Sequence, residues 1–198
     1  KARLSVDGFG GAFFIWEDYR NGEFPEVDIY AQHLNSNNSF SFEENGITVT
    51  TAPFKQQGPV VRKDGIGGVF AGWDDYRDGS NSIYIQHIHP QTGTTLEDGG
   101  QAVFKGISGN VGDGETAIRA EAIFLGNGNS LVYWLDLRKS PFQSLTYGKI
   151  IGSDYSEVDW TNGVPLSLDS LQKKPQVAYL DGTFMVAYNY EGEYTSIY

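Results

Sequence analysis

An all-β fold of four-stranded antiparallel sheets is predicted by three features of the sequence. Runs of about 4 to 8 β-rich residues follow one another; Asp-Gly, Asn-Gly and Gly-Gly turn signals separate them; and a segment of fixed length recurs along the chain. No 3.6-residue hydrophobic period competes with strand pairing.

The recurrence is the most specific of the three. Gly10-Gly11-Ala12-Phe13-Phe14-Ile15-Trp16-Glu17-Asp18-Tyr19-Arg20 returns as Gly67-Gly68-Val69-Phe70-Ala71-Gly72-Trp73-Asp74-Asp75-Tyr76-Arg77, a shift of 73 − 16 = 57 residues. A third copy, Ser130-Leu131-Val132-Tyr133-Trp134-Leu135-Asp136-Leu137-Arg138, lies 134 − 73 = 61 residues further on. A fourth, from Thr183 to Glu191, follows at 188 − 134 = 54, with Tyr188 where the Trp stood and neither the Asp nor the Arg.

Each copy is preceded by an extended lead-in ending at a turn (Asp7-Gly8, Asp64-Gly65, Leu125-Gly126, Asp181-Gly182) and followed by another extended run. Those following runs, Asp28–Leu34, Ser82–Ile88 and Ser144–Ile150, align so that His33, His87 and Lys149 occupy one repeat position, read as exposed. A short last run follows a glycine: Ile47–Thr50, Gln101–Phe104 and Val164–Ser167. The second run of each unit is apolar on both faces, as in a sheet buried between sheets. Radially packed four-stranded sheets are the blades of a β-propeller.

The unit boundaries fall at 1–57, 58–118, 119–174 and a partial unit over 175–198, all in one propeller domain of about three and a half blades. Propellers use about 4 to 8 complete blades. The ring is therefore expected to be closed by the remainder of a longer chain or by a second copy.

Composition narrows the function. With 14 Lys and Arg against 25 Asp and Glu, the formal charge is −11, and the basic residues form no stripe, so nucleic-acid binding is not expected. No run approaches the roughly 18 apolar residues of a membrane-spanning helix, so no membrane insertion is expected. The chain has no cysteine, which removes disulfides and thiolate metal sites.

Alternate residues of a strand share a face, so Trp16, Asp18 and Arg20 form one ladder, as do Trp73, Asp75, Arg77 and Trp134, Asp136, Arg138. A motif repeated at one depth in every blade is expected to pack and staple the blade, the Trp as an apolar plug and the Asp and Arg as a charge-assisted pair. The segments Trp16–Gly22 with Asp28–Leu34, and Trp73–Gly79 with Ser82–Ile88, resemble the Trp-x-Asp-x-Arg repeats of large secreted bacterial β-propeller proteins. Such proteins are frequent in Bacteroidota and often carry a type IX secretion sorting domain. The resemblance implies an exported protein, extracellular or at the cell surface, with glycans or surface and export proteins as partners.

Channel-facing chemistry is expected from the innermost strands. Their segments Arg3–Val6, Val60–Lys63, Ala120–Ile123 and Gln176–Tyr179 contain one carboxylate, Glu121, with Arg3 and Arg62 as possible contacts to an anionic ligand. Glycosidases need a pair of carboxylates, and the sialidase Asp-box is absent, so no catalytic residue is assigned. His87 and His89 alternate on one strand but lack a third ligand, and no metal site is assigned. The loops Asp75–Asn81 and Asn110–Glu115 offer oxygens to Ca²⁺, although turn chemistry selects the same residues; no cofactor is otherwise expected. Tyr19, Tyr76 and Phe24 are the exposed aromatic candidates, for stacking on sugar rings or partner side chains or for covering the blade edge. The expected function is a non-catalytic display, spacer or binding module, or an export-machinery client. The alternative is a carbohydrate-active propeller, glycoside hydrolase or sialidase-like, with carboxylates partly outside the segment.

Overall fold

The computed structural model describes residues 1–22, 26–96, 99–106, 117–126, 129–140, 143–152, 163–166, 172–181 and 183–190. All regular structure among them is strand, and the sheets are antiparallel. The first sheet runs β1 (Ala2–Val6), β2 (Ala12–Asp18), β3 (Asp28–Leu34), β4 (Ile47–Thr50) in sequence order. The second holds β5 (Gln56–Lys63), β6 (Val69–Asp75), β7 (Ser82–His89), β8 (Gly93–Thr94) and β9 (Gln101–Phe104). The third is β10 (Ala117–Gly126), β11 (Asn129–Ser140), β12 (Gln143–Ile151), β13 (Val164–Pro165); β14 (Gln172–Leu180) and β15 (Thr183–Tyr190) form a hairpin. The leading strands β1, β5, β10 and β14 lie against one another from sheet to sheet, which makes the chain a segment of a β-propeller with four-stranded antiparallel blades. The third strand of the fourth unit, expected at Ser196–Tyr198, lies outside the described residues.

The second sheet has one strand more than expected. β7 extends past its counterpart to His89, and the chain folds straight back through β8 before β9 takes the outer position beside β7. In the first sheet the same return is a single bridge between Leu34 and Phe40.

A one-residue β-bulge recurs in the leading strands. Gln57 faces Asp74 and Val60 faces Gly72; Ile118 faces Leu135 and Glu121 faces Tyr133; Lys173 faces Asn189 and Gln176 faces Ala187. In each case two residues of the leading strand face one on its neighbour, and that one is the repeat aromatic, Trp73, Trp134 or Tyr188. Strand pairing continues before the bulge, so β5, β10 and β14 begin at Gln56, Ala117 and Gln172, ahead of the boundaries read from the alternation after it.

The glycine that precedes each outer strand has a physical cause. Gly46, Gly100 and Gly163 have φ of +77°, +82° and +73°, and a Cβ there would meet the Trp16, Trp73 and Trp134 rings at 2.6, 2.7 and 2.6 Å. Both the left-handed backbone and the indole beneath it exclude a side chain.

Each plug packs into the sheet before its own. Trp73 is buried with Phe13, Ile15, Ile29, Ala31 and Val49 of the first sheet, and Trp134 with Phe70, Ile83, Ile85 and Phe104 of the second. Trp16 is only half-buried.

The register corrects one alignment. Trp16 faces Tyr30, Trp73 faces Tyr84, and Trp134 faces Tyr147. Tyr147, not Thr146, is thus the equivalent of Tyr30 and Tyr84, and the position of His33 and His87 falls on Ile150. Lys149 takes the place of Gln32 and Gln86. Matching Gly148-Lys149-Ile150 to Gln-His-Leu shifted this strand by one residue, which exchanges its two faces.

Candidate functional site

The Trp-Asp-Arg ladders are closed upon themselves. Asp75 is fully buried; its Oδ2 accepts from Trp73 Nε1 at 2.8 Å and Arg77 Nη2 at 2.7 Å, and its Oδ1 from the backbone N–H and Nε of Arg77, each at 2.9 Å. Arg77 Nη2 also donates to Gly99 O at 2.7 Å, and its guanidinium lies 3.9 Å from the Tyr84 ring centroid. Asp18 and Arg20 repeat this arrangement with Trp16, Asn45 O and Tyr30. The hydrogen bonds from Arg20 hold the Asp18 carboxyl down at about 2. Trp134 Nε1 donates to Asp136 Oδ2 at 3.1 Å, while the Arg138 side chain lies outside the described residues. In the first two ladders both carboxylate oxygens accept hydrogen bonds from within the ladder, and the arginine staples the second strand to the outer one.

The leading strands bring two of the three channel residues together. Arg62 on β5 donates from Nη2 to Glu121 Oε2 on β10 at 2.9 Å and from Nη1 to its neighbour's carbonyl, Val61 O, at 2.8 Å. The side chains are 42% and 31% exposed. Tyr133, opposite Glu121 on β11, is buried beneath them; burial first, and then the Glu121 charge, push its phenol above the ordinary tyrosine value. Arg3 is exposed on β1 and stands apart from this pair, its one described hydrogen bond a long 3.4 Å contact with Ala2 O.

The histidines are not exposed, contrary to expectation. His33 and His87 are 2% and 7% exposed. His33 Nε2 lies 3.0 Å from Asp7 Oδ2 and Nδ1 2.8 Å from Ser41 Oγ; His87 Nε2 lies 2.8 Å from Asp64 Oδ2 and Nδ1 3.0 Å from Thr95 Oγ1. An ionised carboxylate only accepts, so each Nε2 donates and each Nδ1 faces a hydroxyl. The Asp Oδ1 atoms meanwhile accept from Phe9 and Gly11 N–H, and from Ile66 and Gly68 N–H, which fixes the first turn of each blade. Burial raises both carboxyls, but these hydrogen bonds outweigh it and leave Asp7 and Asp64 below the ordinary value. The sequence carries a signal, an Asp-Gly in each of the first two units followed by a His 26 and 23 residues on, but Asp in a turn reads as turn chemistry alone. His87 is committed to Asp64, which leaves His89 without it as a co-ligand, and among the described residues no group of three His, Cys, Asp or Glu could hold a metal.

Other candidates divide. Tyr19 is exposed, Tyr76 is half-buried with Lys55 Nζ 4.2 Å from its ring centroid, and Phe24 lies outside the described residues. In the loop Asp75–Asn81 the Asp75 carboxylate oxygens accept from Trp73 and Arg77, and Ser80 Oγ donates to Gly106 O. The loop Asn110–Glu115 lies outside the described residues.

No family model matches the chain, and no curated protein matches it. Solved structures do resemble it, two enzymes among them. An endo-arabinase from Bacteroides thetaiotaomicron superposes with a TM-score of 0.52 at 12% identity, over 96% of this chain and 70% of that one. An endo-1,4-beta-xylanase from the same organism gives a TM-score of 0.51 at 8% identity, over 96% of this chain and 63% of that one. At such identities the likeness is one of fold.

Proposed function

We propose that this protein is a carbohydrate-binding β-propeller module of an exported protein, displayed at the cell surface or secreted, which holds a glycan over its leading strands without cleaving it. The Arg62–Glu121 pair carries this reading: a half-exposed guanidinium and carboxylate, contributed by two blades, present donors and acceptors to sugar hydroxyls in a chain of net charge −11. The fold shared with an endo-arabinase and an endo-1,4-beta-xylanase supports a carbohydrate as the ligand class. Hydrolysis of a glycosidic bond takes two carboxyl groups. Among the described side chains of β1, β5, β10 and β14, Glu121 is the one carboxylate, and Arg62 neutralises it.

Calorimetric titration with acidic and neutral oligosaccharides tests the reading. Binding that falls at least tenfold in Arg62→Ala supports it, and unchanged binding in that variant overturns it. A second reading, a glycoside hydrolase in which Glu121 is one of the two acids, draws on the same fold likeness. Release of reducing ends that disappears in Glu121→Gln would replace the first reading with the second. Export is tested by protease treatment of intact cells, which digests a surface protein and spares an internal one.

We further propose that another blade, from more chain or from a second copy, covers the outer face of the first sheet. Leu4 and Val6 are 54% and 56% exposed on the face that carries Trp16, whereas Trp73 in the same position is wholly buried by the sheet before it. Light scattering on the native protein would report a particle heavier than 21.9 kDa.

A further inference from the structure

A cleft of about 290 Å³ opens between the first and second sheets, at the end where β1 turns into β2 and β5 into β6. Two tight turns form its lips, carrying Phe9 and Ile66, 69% and 63% exposed. Phe9 and Ile66 present their apolar surface at the mouth of one cleft. Both tips are rigid: Asp7 Oδ1 accepts from Phe9 N–H at 2.6 Å and from Gly11 N–H at 2.9 Å, Asp64 Oδ1 from Ile66 and Gly68 N–H at 2.7 and 3.0 Å, and buried His33 and His87 brace the two carboxylates. Gly67, at φ +108°, lies beside the Phe9 ring, which a Cβ there would reach at 3.4 Å in ordinary van der Waals contact.

The framework of the cleft repeats from blade to blade, and its lining does not. Asp7 and Asp64, and His33 and His87, are repeat equivalents that hold the turns, whereas Phe9 is matched by Ile66, Asn35 by His89 and Ser36 by Pro90. Repeated residues serve the fold; residues that differ between equivalent positions and converge on one cavity are what recognition requires. The lining offers an aromatic face, two further apolar walls, the side-chain carbonyl oxygen of Asn35 (its Nδ2 donates to Ser39 and Ser41), the Gln91 amide, the Nε2 of His89 (its Nδ1 accepts from Gln91 N–H at 3.3 Å) and the Ser36 hydroxyl. It includes no Lys or Arg.

We propose that this cleft, walled by Phe9, Ile66, Pro90, Asn35, His89 and Gln91, is a second subsite that takes an uncharged sugar ring, stacked on Phe9 and hydrogen-bonded through its hydroxyls to the amides and imidazole. The chemistry selects against alternatives. An anionic sugar or phosphate would find no cation in the lining of a chain of net charge −11. The volume lies near the lower end of ligand pockets, about 300 Å³, and suits one or two sugar rings rather than a peptide strand. The subsite rests on the carbohydrate reading above but uses none of its residues.

Titration of the purified protein with xylohexaose, arabinohexaose and cellohexaose tests the proposal, with polygalacturonate oligomers as the acidic control. The expected result is binding of at least one neutral hexamer that Phe9→Ala weakens tenfold or more and Gln91→Ala weakens less, while Phe9→Ala leaves the melting temperature unchanged. Arg62→Ala separates the two readings, because it removes binding over the leading strands and spares the cleft. The proposal is overturned if no neutral hexamer binds, if Phe9→Ala binds each as the native protein does, or if the Phe9-dependent ligand is the acidic oligomer. Phe9-dependent self-association with no sugar binding would equally overturn it.

Discussion

The two ends of the blades follow different rules. At the end where the second strand finishes, the indole-to-carboxylate contact is kept in all three sheets, from Trp16–Asp18 to Trp134–Asp136. At the other end, the first two sheets bury an Asp–His pair, whereas in the third the same positions hold Leu125 and Ile150, packed against the Leu131 and Tyr133 cluster. A hydrogen-bonded Asp–His filling in two sheets and an apolar one in the third occupy the same place, both members differing together. The ladder is more tightly knotted: in the first two sheets its carboxylate is tied at once to an indole, an arginine and, through that arginine, to the outer strand, and the fourth unit, which lacks the Trp, lacks the Asp and Arg with it.

That contrast can be broken in a graded way. The largest effect is expected from the ladder: Trp73→Ala, which empties a fully buried site, should cost about 3 to 5 kcal/mol in urea unfolding, and half-buried Trp16→Ala clearly less. Next comes a single break at the other end. Asp64→Ala leaves His87 buried without its carboxylate and frees the Ile66 and Gly68 N–H groups, which should cost about 3 kcal/mol, read in the same unfolding curves.

Acid should reveal the pair without mutation. Asp7 and Asp64 sit below the ordinary carboxyl value in the folded protein and Asp18 at about 2, so the unfolded chain takes up protons first as pH falls. The stability these groups contribute is complete above about pH 4 to 5 and drains away as pH drops towards 2, which melting curves across that range would record. The smallest change is the most telling. Asp64→Leu with His87→Ile, copying the third sheet, should alter stability by about 1 kcal/mol or less and flatten the acid dependence; a loss equal to that of Asp64→Ala would show that the two fillings are not interchangeable.

The sequence made the strands, the repeat and the ladder readable because each leaves a mark at fixed spacing: a turn glycine, a Trp and an Asp two residues on. The Asp–His pairing was hidden because its partners are 26 and 23 residues apart and each has an innocent local role, a turn for Asp7 and a strand position for His33. The third sheet's register was misread for a related reason. Gly148-Lys149-Ile150 mimics the earlier runs in hydropathy, and only the Trp134–Tyr147 pairing sets it right. The channel pair Arg62 and Glu121 could be placed on leading strands but not joined, since nothing in a sequence says which neighbouring strands lie within reach. The cleft went unseen altogether, because Phe9 and Ile66 read as ordinary turn residues.

The direction in which the tryptophans point has a genetic consequence. Each unit carries the key and its predecessor the lock: Trp73 fits among Phe13, Ile15 and Ala31, and Trp134 among Phe70, Ile83 and Ile85. Unequal crossing-over within the gene would copy or delete a lock and a key together. Every recombined junction would then find a socket already cut, so that chains of different blade number can arise in one step without a damaged seam.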